Sequence, residues 1–202
     1  MAAVSWDALS WAYAFLGNSL MEPMTQGNHA GLDPSFWDTF PDFGSEELAE
    51  KLDECADCAQ NLIVSYGDDA VNRTSVEYAR LFVGPPAPEA IPWEGHYTNG
   101  EGSMESTEPA ADMAGLLNDV GIHLNEAEVP HLDHMGIELL YLSEICHRRQ
   151  PESLGFIIAH PLSWIGAFAA KVEAAAGEGY YLALVRVAEA LLEFQHKQMV
   201  AL

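Results

Sequence analysis

The chain has 202 residues, of which 49% are hydrophobic, and 31 acidic residues against 8 basic ones give it a net charge of -23. This composition excludes an intrinsically disordered protein, and the length is sufficient for one domain with a substantial core. A surface this acidic repels nucleic acid and anionic membranes, so it favours a basic partner instead.

No targeting or membrane-spanning segment is expected. The N-terminal stretch lacks a positively charged region, and Asp7 interrupts its apolar residues. No run of about 18 apolar residues occurs in the sequence, as a membrane-spanning helix would require. The three cysteines, Cys55, Cys58 and Cys146, are an odd number and do not indicate a disulfide framework. Together these features predict a cytoplasmic protein without membrane insertion.

The first part of the chain has a helical pattern. Apolar residues recur close to every 3.6 positions over residues 5–21, which predicts a helix. A polar and aromatic connection with three prolines follows over residues 22–44. Ser45 is suited to cap a second helix, which ends at Gly67 because glycine commonly terminates helices. A further helix is predicted over about residues 69–83.

A long proline- and glycine-rich loop is predicted near residues 84–103, "GPPAPEAIPWEGHYTNGEGS". Its four prolines and four glycines are incompatible with long regular structure. Loops of this length in compact domains are usually functional or disordered. Trp93 and Tyr97 favour the first possibility, because large aromatic residues in a loop generally pack against the rest of the protein.

The remaining hundred residues are helical in pattern again. No alternating strand pattern of useful length and no internal repeat is present. The sequence therefore predicts an all-α fold, a single-domain helical bundle over residues 1–202. In this half, helices are expected over about residues 104–120, 131–149, 151–176 with a break near Pro161, and 180–199.

Two groups of residues contain side chains that are typical of redox or metal sites. Cys55 and Cys58 form a C-x-x-C pair, but it lies in the middle of a predicted helix among acidic residues, so we interpret it as a packing feature. His131, His134 and Glu138 fall at positions i, i+3 and i+7 and share one face if the helix begins at Pro130. Two histidines and a carboxylate are compatible with a metal site, although the H-E-x-x-H pattern of zinc hydrolases is missing.

Four pieces of sequence in a fixed order carry a family resemblance. This order resembles the TorD/DmsD/NarJ family of redox-enzyme maturation chaperones, most strongly over residues 77–194. The family has a proline-rich loop after an L-F-x-G-P helix end and an E-P-x-D-H box that opens a long helix. The four pieces are "EYARLFVGPP" at residues 77–86, "IPWEGHY" at 91–97, "VPHLDHMGIELLYLSEI" at 129–145 and "HPLSWIGAFAAKVE" at 160–173.

The match to the E-P-x-D-H box is incomplete. Asp133 and His134 correspond to its last two residues. Pro130 lies three positions before Asp133 instead of two, and Glu128 lies five positions before it. Asp133 and His134 are therefore the two residues to which the resemblance most directly assigns the role of the family's box.

The resemblance implies a cytoplasmic, system-specific chaperone that is not an enzyme. Members of the family bind the N-terminal twin-arginine signal peptide, or another N-terminal segment, of a molybdenum-cofactor oxidoreductase catalytic subunit. They hold the apo form of this client until the cofactor is inserted, and they delay export. The resemblance implies a monomer or a dimer and no resident cofactor, although some members bind guanine nucleotide.

A twin-arginine peptide presents two arginines and an apolar segment, which suit an acidic protein with an aromatic groove. Asp133, His134 and Glu138 are the predicted polar anchors, with Asp133 either pairing with an arginine or fixing the end of the loop. Ordinary core packing is the alternative for the aromatic candidates. The predicted groove residues are Tyr78, Leu81, Phe82, Trp93, Tyr97, Pro130 and Trp164.

Two other functions remain open from the sequence. The first is a metal-dependent hydrolase that uses His131, His134 and Glu138, with Asp133 nearby. The second is an interaction module that recognises a folded oxidoreductase subunit through its acidic surface.

Overall fold

The computed structural model describes residues 4–84, 86–98, 108–123 and 131–200. All regular secondary structure within these residues is helical, which confirms the predicted all-α bundle. The one exception in the described ranges is an isolated antiparallel β-bridge between Trp93 and His134. No helix in this part of the chain is both long and apolar enough to cross a membrane.

The first two long helices lie where the apolar spacing predicts them. They are α1 (Trp6–Met21) and, after a shorter helix, α3 (Glu46–Tyr66). Both begin at a serine, since the hydroxyls of Ser5 and Ser45 accept a backbone N–H from the first turn. α3 ends at Gly67, whose φ of 52° is readily adopted only by glycine.

The connection between α1 and α3 contains helical structure that the sequence did not predict. A 3₁₀ turn (Ala30–Leu32) leads into α2 (Pro34–Thr39). The side chain of Asp33 caps α2 by accepting the N–H of Ser35 at 3.0 Å, and Pro34 occupies the first helical position. α2 packs its rings against α1, in a cluster formed by Trp11, Phe15, Phe36, Trp37 and Phe40.

The structure divides the predicted third helix into two elements and places a short helix within the loop that follows it. The helix consists of α4 (Ala70–Tyr78) and a π-helical turn (Ala79–Val83), which ends at Gly84 with φ of 90°. The described residues of the loop are irregular as predicted up to residue 93, but α5 (Glu94–Thr98) interrupts the loop. Residue 85 and residues 99–103 of this loop lie outside the described residues.

The second half agrees with the predicted pattern of helices. The predicted break near Pro161 is confirmed, because the chain turns at His160 before a new helix begins. The elements are α6 (Glu108–Asp119), α7 (Met135–His147), a 3₁₀ turn (Pro151–Gly155), α8 (Phe156–Ala159), α9 (Pro161–Ala176) and α10 (Tyr180–Val200).

The start of α7 differs from the prediction. A helix beginning near residue 131 would place His131, His134 and Glu138 on one face, but α7 begins at Met135. His134 precedes it in an extended conformation, with φ -76° and ψ 134°. The N–H of Met135 donates to the carbonyl of Pro92 at 2.9 Å, so a contact with a distant segment replaces the first helical turn.

α10 is the centre of the bundle. Its residues are buried on nearly every side, with α3 and α9 packed against it. One buried polar contact crosses this core: the hydroxyl of Tyr13 in α1 donates to Oε1 of Gln195 in α10 at 2.6 Å. Because both groups are removed from water, this hydrogen bond fixes the relative position of α1 and α10.

α1 and α7 run antiparallel and contact each other backbone to backbone. A Cβ atom at Gly17 would lie 2.8 Å from the carbonyl oxygen of Gly136, and a Cβ at Gly136 would lie 2.8 Å from that of Gly17. Two helical turns away, the hydroxyl of Ser143 donates to the carbonyl of Ser10 at 2.8 Å. Small residues at matching positions of both helices therefore allow the approach that fixes the N-terminal end of α7.

We predict that Gly136→Ala destabilises the protein by about 1–3 kcal/mol, because the added methyl group meets the backbone of α1, which cannot rotate away. Urea denaturation measures this change in the free energy of unfolding. Gly115→Ala in α6 is the matched control, because no atom lies within 4 Å of the added Cβ. This control is expected to stabilise α6 by up to about 1 kcal/mol. Equal effects of the two substitutions would contradict the close approach.

Candidate functional site

Residues 91–98, here called the strap, cross the N-terminal end of α7. The N–H of Glu94 donates to the carbonyl of Asp133 at 2.9 Å, and the N–H of Met135 donates to the carbonyl of Pro92 at 2.9 Å. These two hydrogen bonds form the β-bridge between Trp93 and His134. The tertiary structure thus joins two of the sequence pieces that carry the family resemblance.

Asp133 holds the helical end of the strap. Its carboxylate Oδ2 accepts the N–H of Gly95 at 2.9 Å, and the side chain is only 2% exposed. Together with its carbonyl oxygen, Asp133 therefore satisfies the first two backbone N–H groups of α5, which have no partner inside the helix. A carboxylate at a helix N-terminus is also favoured by the helix dipole. Of the two roles predicted for Asp133, this geometry corresponds to fixing the end of the loop.

His134 is the N-cap of α7. Its Nδ1 accepts the N–H of Gly136 at 3.0 Å, which requires a neutral ring with the proton on Nε2. Burial lowers the pKa of His134 to about 4, and the neighbouring His131 contributes to the shift. A positive charge at a helix N-terminus is unfavourable as well, so capping and burial act in the same direction.

Trp93 and His131 form a stacked pair at the junction of the strap and α7. Their ring centroids are 3.5 Å apart and their planes are 15° from parallel. Partial burial lowers the pKa of His131, against an opposing effect of Asp133. Both side chains retain partial exposure to solvent, so the pair presents a flat aromatic surface beside the buried acidic groups.

Buried carboxyl groups are concentrated at this junction. The described residues contain five buried polar or charged side chains, and three of them are Glu94, Asp133 and Glu138, with exposures of 3%, 2% and 0%. Burial raises the pKa of Glu138 well above its usual value, and the carboxylate of Glu94 raises it further. Oε2 of Glu138 accepts the indole N–H of Trp164 at 3.2 Å.

His160 connects the strap to the start of α9. Its Nδ1 lies 2.9 Å from Oε2 of Glu94, and the ring stacks on Phe156 with centroids 4.6 Å apart. Glu94 therefore links α5 to α9, whereas Glu138 links α7 to α9 through Trp164. The three helices meet at a polar cluster within an otherwise apolar core.

The predicted groove residues occupy different environments. Tyr78, Leu81 and Phe82 are 5%, 0% and 6% exposed and pack in the core, so in this conformation their side chains are not accessible to a peptide. Tyr97 is half-buried and stacks on Trp164, with centroids 5.3 Å apart, and Trp164 is only 1% exposed. Pro130 lies outside the described residues, and so does Glu128. Ordinary core packing, the alternative given for the aromatic candidates, describes Tyr78, Phe82 and Trp164.

Glu94 and His160 are site residues that the sequence analysis did not select. Both lie within the sequence pieces that carry the family resemblance, in "IPWEGHY" and "HPLSW". The available signal was a glutamate directly after Trp93 in an otherwise apolar and aromatic segment. A glutamate is rarely buried without a partner, and its partner here, His160, is 66 positions away.

The metal-binding arrangement is not favoured by the geometry. His131 stacks on Trp93, Nδ1 of His134 accepts a backbone N–H, and Glu138 contacts Trp164. Within the described part of the chain, no three His, Cys, Asp or Glu side chains are grouped so that they could hold a metal ion.

The cysteines agree with the packing interpretation. Cys55 is buried and Cys58 half-buried, both in the middle of α3 and both as free thiols. Burial raises the pKa of Cys58 to about 11, with contributions from Glu77 and Glu178. A thiol with such a pKa stays protonated near neutral pH and is a poor nucleophile.

Comparison with known proteins shows which family the chain resembles. The model of the family described as nitrate reductase delta subunit matches residues 44–170, which include the strap, the start of α7 and His160. The chain is 25% identical over 154 residues to the chaperone protein TorD of Photobacterium profundum, an alignment that covers 69% of this chain and 71% of that protein. It is also 25% identical over 162 residues to the chaperone protein TorD of Vibrio parahaemolyticus, covering 74% of this chain and 73% of that protein.

The low pKa of His134 predicts a pH-dependent stability. The unfolded chain binds a proton at this histidine below about pH 6.5, whereas the folded protein binds it only near pH 4. This contribution is therefore complete above pH 6.5 and is lost as the pH falls to 4, by roughly 3 kcal/mol in total. His134→Asn keeps a capping side chain without the titration, so its stability relative to wild type should rise over this interval in urea denaturation. The exposed His29→Asn is the control, and an identical pH profile for both variants would refute the prediction.

Removal of the Asp133 side chain should release the strap. We expect Asp133→Ala to cost about 1–2 kcal/mol, as for the loss of a helix cap, and to accelerate hydrogen exchange in residues 91–98. Asp133→Asn keeps an oxygen acceptor for Gly95 and should preserve most of the protection. Hydrogen exchange measured by mass spectrometry compares the strap with α3 as an internal reference. Unchanged exchange of the strap in Asp133→Ala would contradict the assigned contact.

Proposed function

The chain belongs to the nitrate reductase delta subunit family, the TorD/DmsD/NarJ family of redox-enzyme maturation chaperones, and we propose that it binds the N-terminal twin-arginine segment of its client. As a member of this family it is a system-specific redox-enzyme maturation chaperone. The proposed client is the apo form of a molybdenum-cofactor oxidoreductase catalytic subunit. Binding takes place in the cytoplasm, assists cofactor insertion and delays export, and it involves no catalysis by the chaperone.

One observation carries this proposal: buried carboxyl groups are concentrated beside a partly exposed aromatic pair. Glu94, Asp133 and Glu138 place three buried acidic groups at the junction of the strap and α7. Trp93 and His131 supply a flat apolar surface directly next to it. A twin-arginine segment combines cationic and apolar side chains, so each part of the peptide has a complementary surface here.

The residues of the junction have different proposed roles. Trp93 packs over the apolar part of the peptide, and its stacking on His131 keeps the indole in place. Asp133 and His134 act as positioning residues, because both are engaged in capping helices. They hold the strap and α7 together in the geometry that the peptide recognises.

The acidic surface supports the same proposal. A net charge of -23 attracts a cationic segment over distances of about a Debye length, ~10 Å at 0.1 M salt. This attraction mainly accelerates association and weakens as salt rises. The same charge disfavours nucleic acid as a competing partner.

The test is a titration of the purified protein with a twin-arginine leader peptide at modest salt. We expect saturable binding that weakens at least tenfold, by about 1.4 kcal/mol, when both arginines are replaced by alanine. Binding should also weaken as the salt concentration increases. No binding, or equal binding of the two peptides, would count against the proposal. Capture of a mature client subunit independently of any leader would favour the alternative of an interaction module for folded subunits.

Substitution of Trp93 tests whether the leader peptide binds at the junction of the strap and α7. Trp93→Ala is expected to reduce leader affinity about tenfold, because the aromatic surface is lost. Trp11→Ala is the matched control: Trp11 is also partly exposed, at 44%, but it belongs to the α1–α2 aromatic cluster. An equal effect of the two substitutions on affinity would exclude the junction as the binding surface.

A further inference from the structure

The carboxyl groups of Glu94 and Glu138 are removed from water with few partners of opposite charge. Oε2 of Glu138 accepts the indole N–H of Trp164, whereas its Oε1 is fully buried and accepts no hydrogen bond from a described residue. A proton on Glu138 is held in a hydrogen bond with Glu94. Glu94 contacts His160 through Oε2. No lysine or arginine in the part of the chain that the structure describes forms an ion pair with either glutamate.

The titratable groups that raise the pKa of Glu138 are themselves acidic: α5 contributes Glu94, and the segment before α7 contributes Asp133. His134 of that segment is neutral near neutral pH, α9 contributes the indole N–H of Trp164, and His160 at the start of α9 contacts Glu94. Two neighbouring carboxylates cannot both remain charged at low cost in such surroundings, so the closed structure favours a proton on Glu138. A proton held between two buried carboxyl groups is a positive charge that another cation can replace.

We propose that Glu94 and Glu138 together form the receptor for one arginine side chain of the bound client segment, whose guanidinium takes the place of the proton. This inference rests on the proposed function and assigns one part of the segment to one pair of residues. The guanidinium remains charged at all relevant pH values and offers planar N–H donors to two carboxylates at once. The proton of Glu138 passes to solvent, so the net charge of the cluster is the same before and after binding.

The strap provides the route to this pair. It is held against α7 by the two hydrogen bonds of the β-bridge, the contact of Gly95 with Asp133 and the stacked rings of Trp93 and His131. Against α9 it is held by the contact of Glu94 with His160 and by the stacking of Tyr97 on Trp164. All of these contacts belong to one short segment, which can open separately from the helical core. Movement of the strap carries Glu94 outwards and exposes the buried side of Glu138.

The proposal predicts proton release on binding. A twin-arginine leader peptide is titrated by calorimetry near pH 7.5 in phosphate and in Tris, whose ionisation enthalpies differ, and the affinity is also measured at lower pH in a buffer suited to that pH. We expect about one proton to be released per peptide where Glu138 is protonated in the free protein, and we expect affinity to increase with pH. A leader with lysines in place of both arginines keeps the charge but loses the paired geometry, and it should bind at least threefold more weakly.

Isosteric variants provide the second measurement. Glu138→Gln keeps an acceptor for Trp164 and therefore preserves the packing, but it should abolish proton release and the preference for arginine over lysine. Glu94→Gln should reduce that preference as well. Asp57→Asn removes the same charge from an exposed position of α3 and should behave as wild type.

The results of these experiments distinguish the proposed arginine receptor from the proposed chaperone function. Leader binding that depends on arginine but releases no proton, or Glu138→Gln and Glu94→Gln behaving like Asp57→Asn, would overturn the receptor and leave the chaperone proposal standing. Absence of leader binding by the wild-type protein would overturn both. Should Glu138→Gln fail to fold, the proton count of the wild-type protein still decides the question.

Discussion

The backbone contact between Gly17 and Gly136 is the constraint on which the geometry of the site depends. It allows α1 and α7 to approach without intervening side chains, and it lies two residues from the capping His134. A helix fixed this firmly at its first turn offers a rigid edge for the strap. Any larger residue at either glycine would shift the end of α7 and with it Asp133, the acceptor for α5.

The junction combines two kinds of interaction that are seldom found together in a protein core. The helix caps from Asp133 and His134 are satisfied polar contacts that specify one position of the strap. The carboxyl groups of Glu94 and Glu138, by contrast, are buried at an energetic cost. A segment that is well positioned but weakly stabilised is suited to open for a partner and to close again after release, as a maturation chaperone has to do.

The acidic surface and the buried acids have different consequences. Exposed carboxylates influence the rate of encounter with a basic segment, and salt screens this effect. Buried carboxylates discriminate between partners, because an unsuitable side chain would leave them uncompensated. The comparisons identify the class of chaperone, whereas we propose that discrimination among clients depends on these buried groups.

The sequence by itself determined the all-α class and most helix positions, because the 3.6-residue spacing, the serine caps and the terminal glycines are local signals. The order of four motifs also led to Asp133, His134 and Trp93, which the structure brings together at the junction of the strap and α7. The sequence failed at α5 and at the start of α7, because their first backbone groups bind residues distant in the chain. It also missed α2, whose cap by Asp33 is local but which is too short to show a periodic pattern. Only the tertiary structure decided that Tyr78, Leu81 and Phe82 are core residues, because an apolar helix face has the same spacing whether it lines a groove or the core. Only the tertiary structure showed that Glu94, Glu138 and His160 meet, because pairing between residues distant in the chain leaves no periodic trace in the sequence.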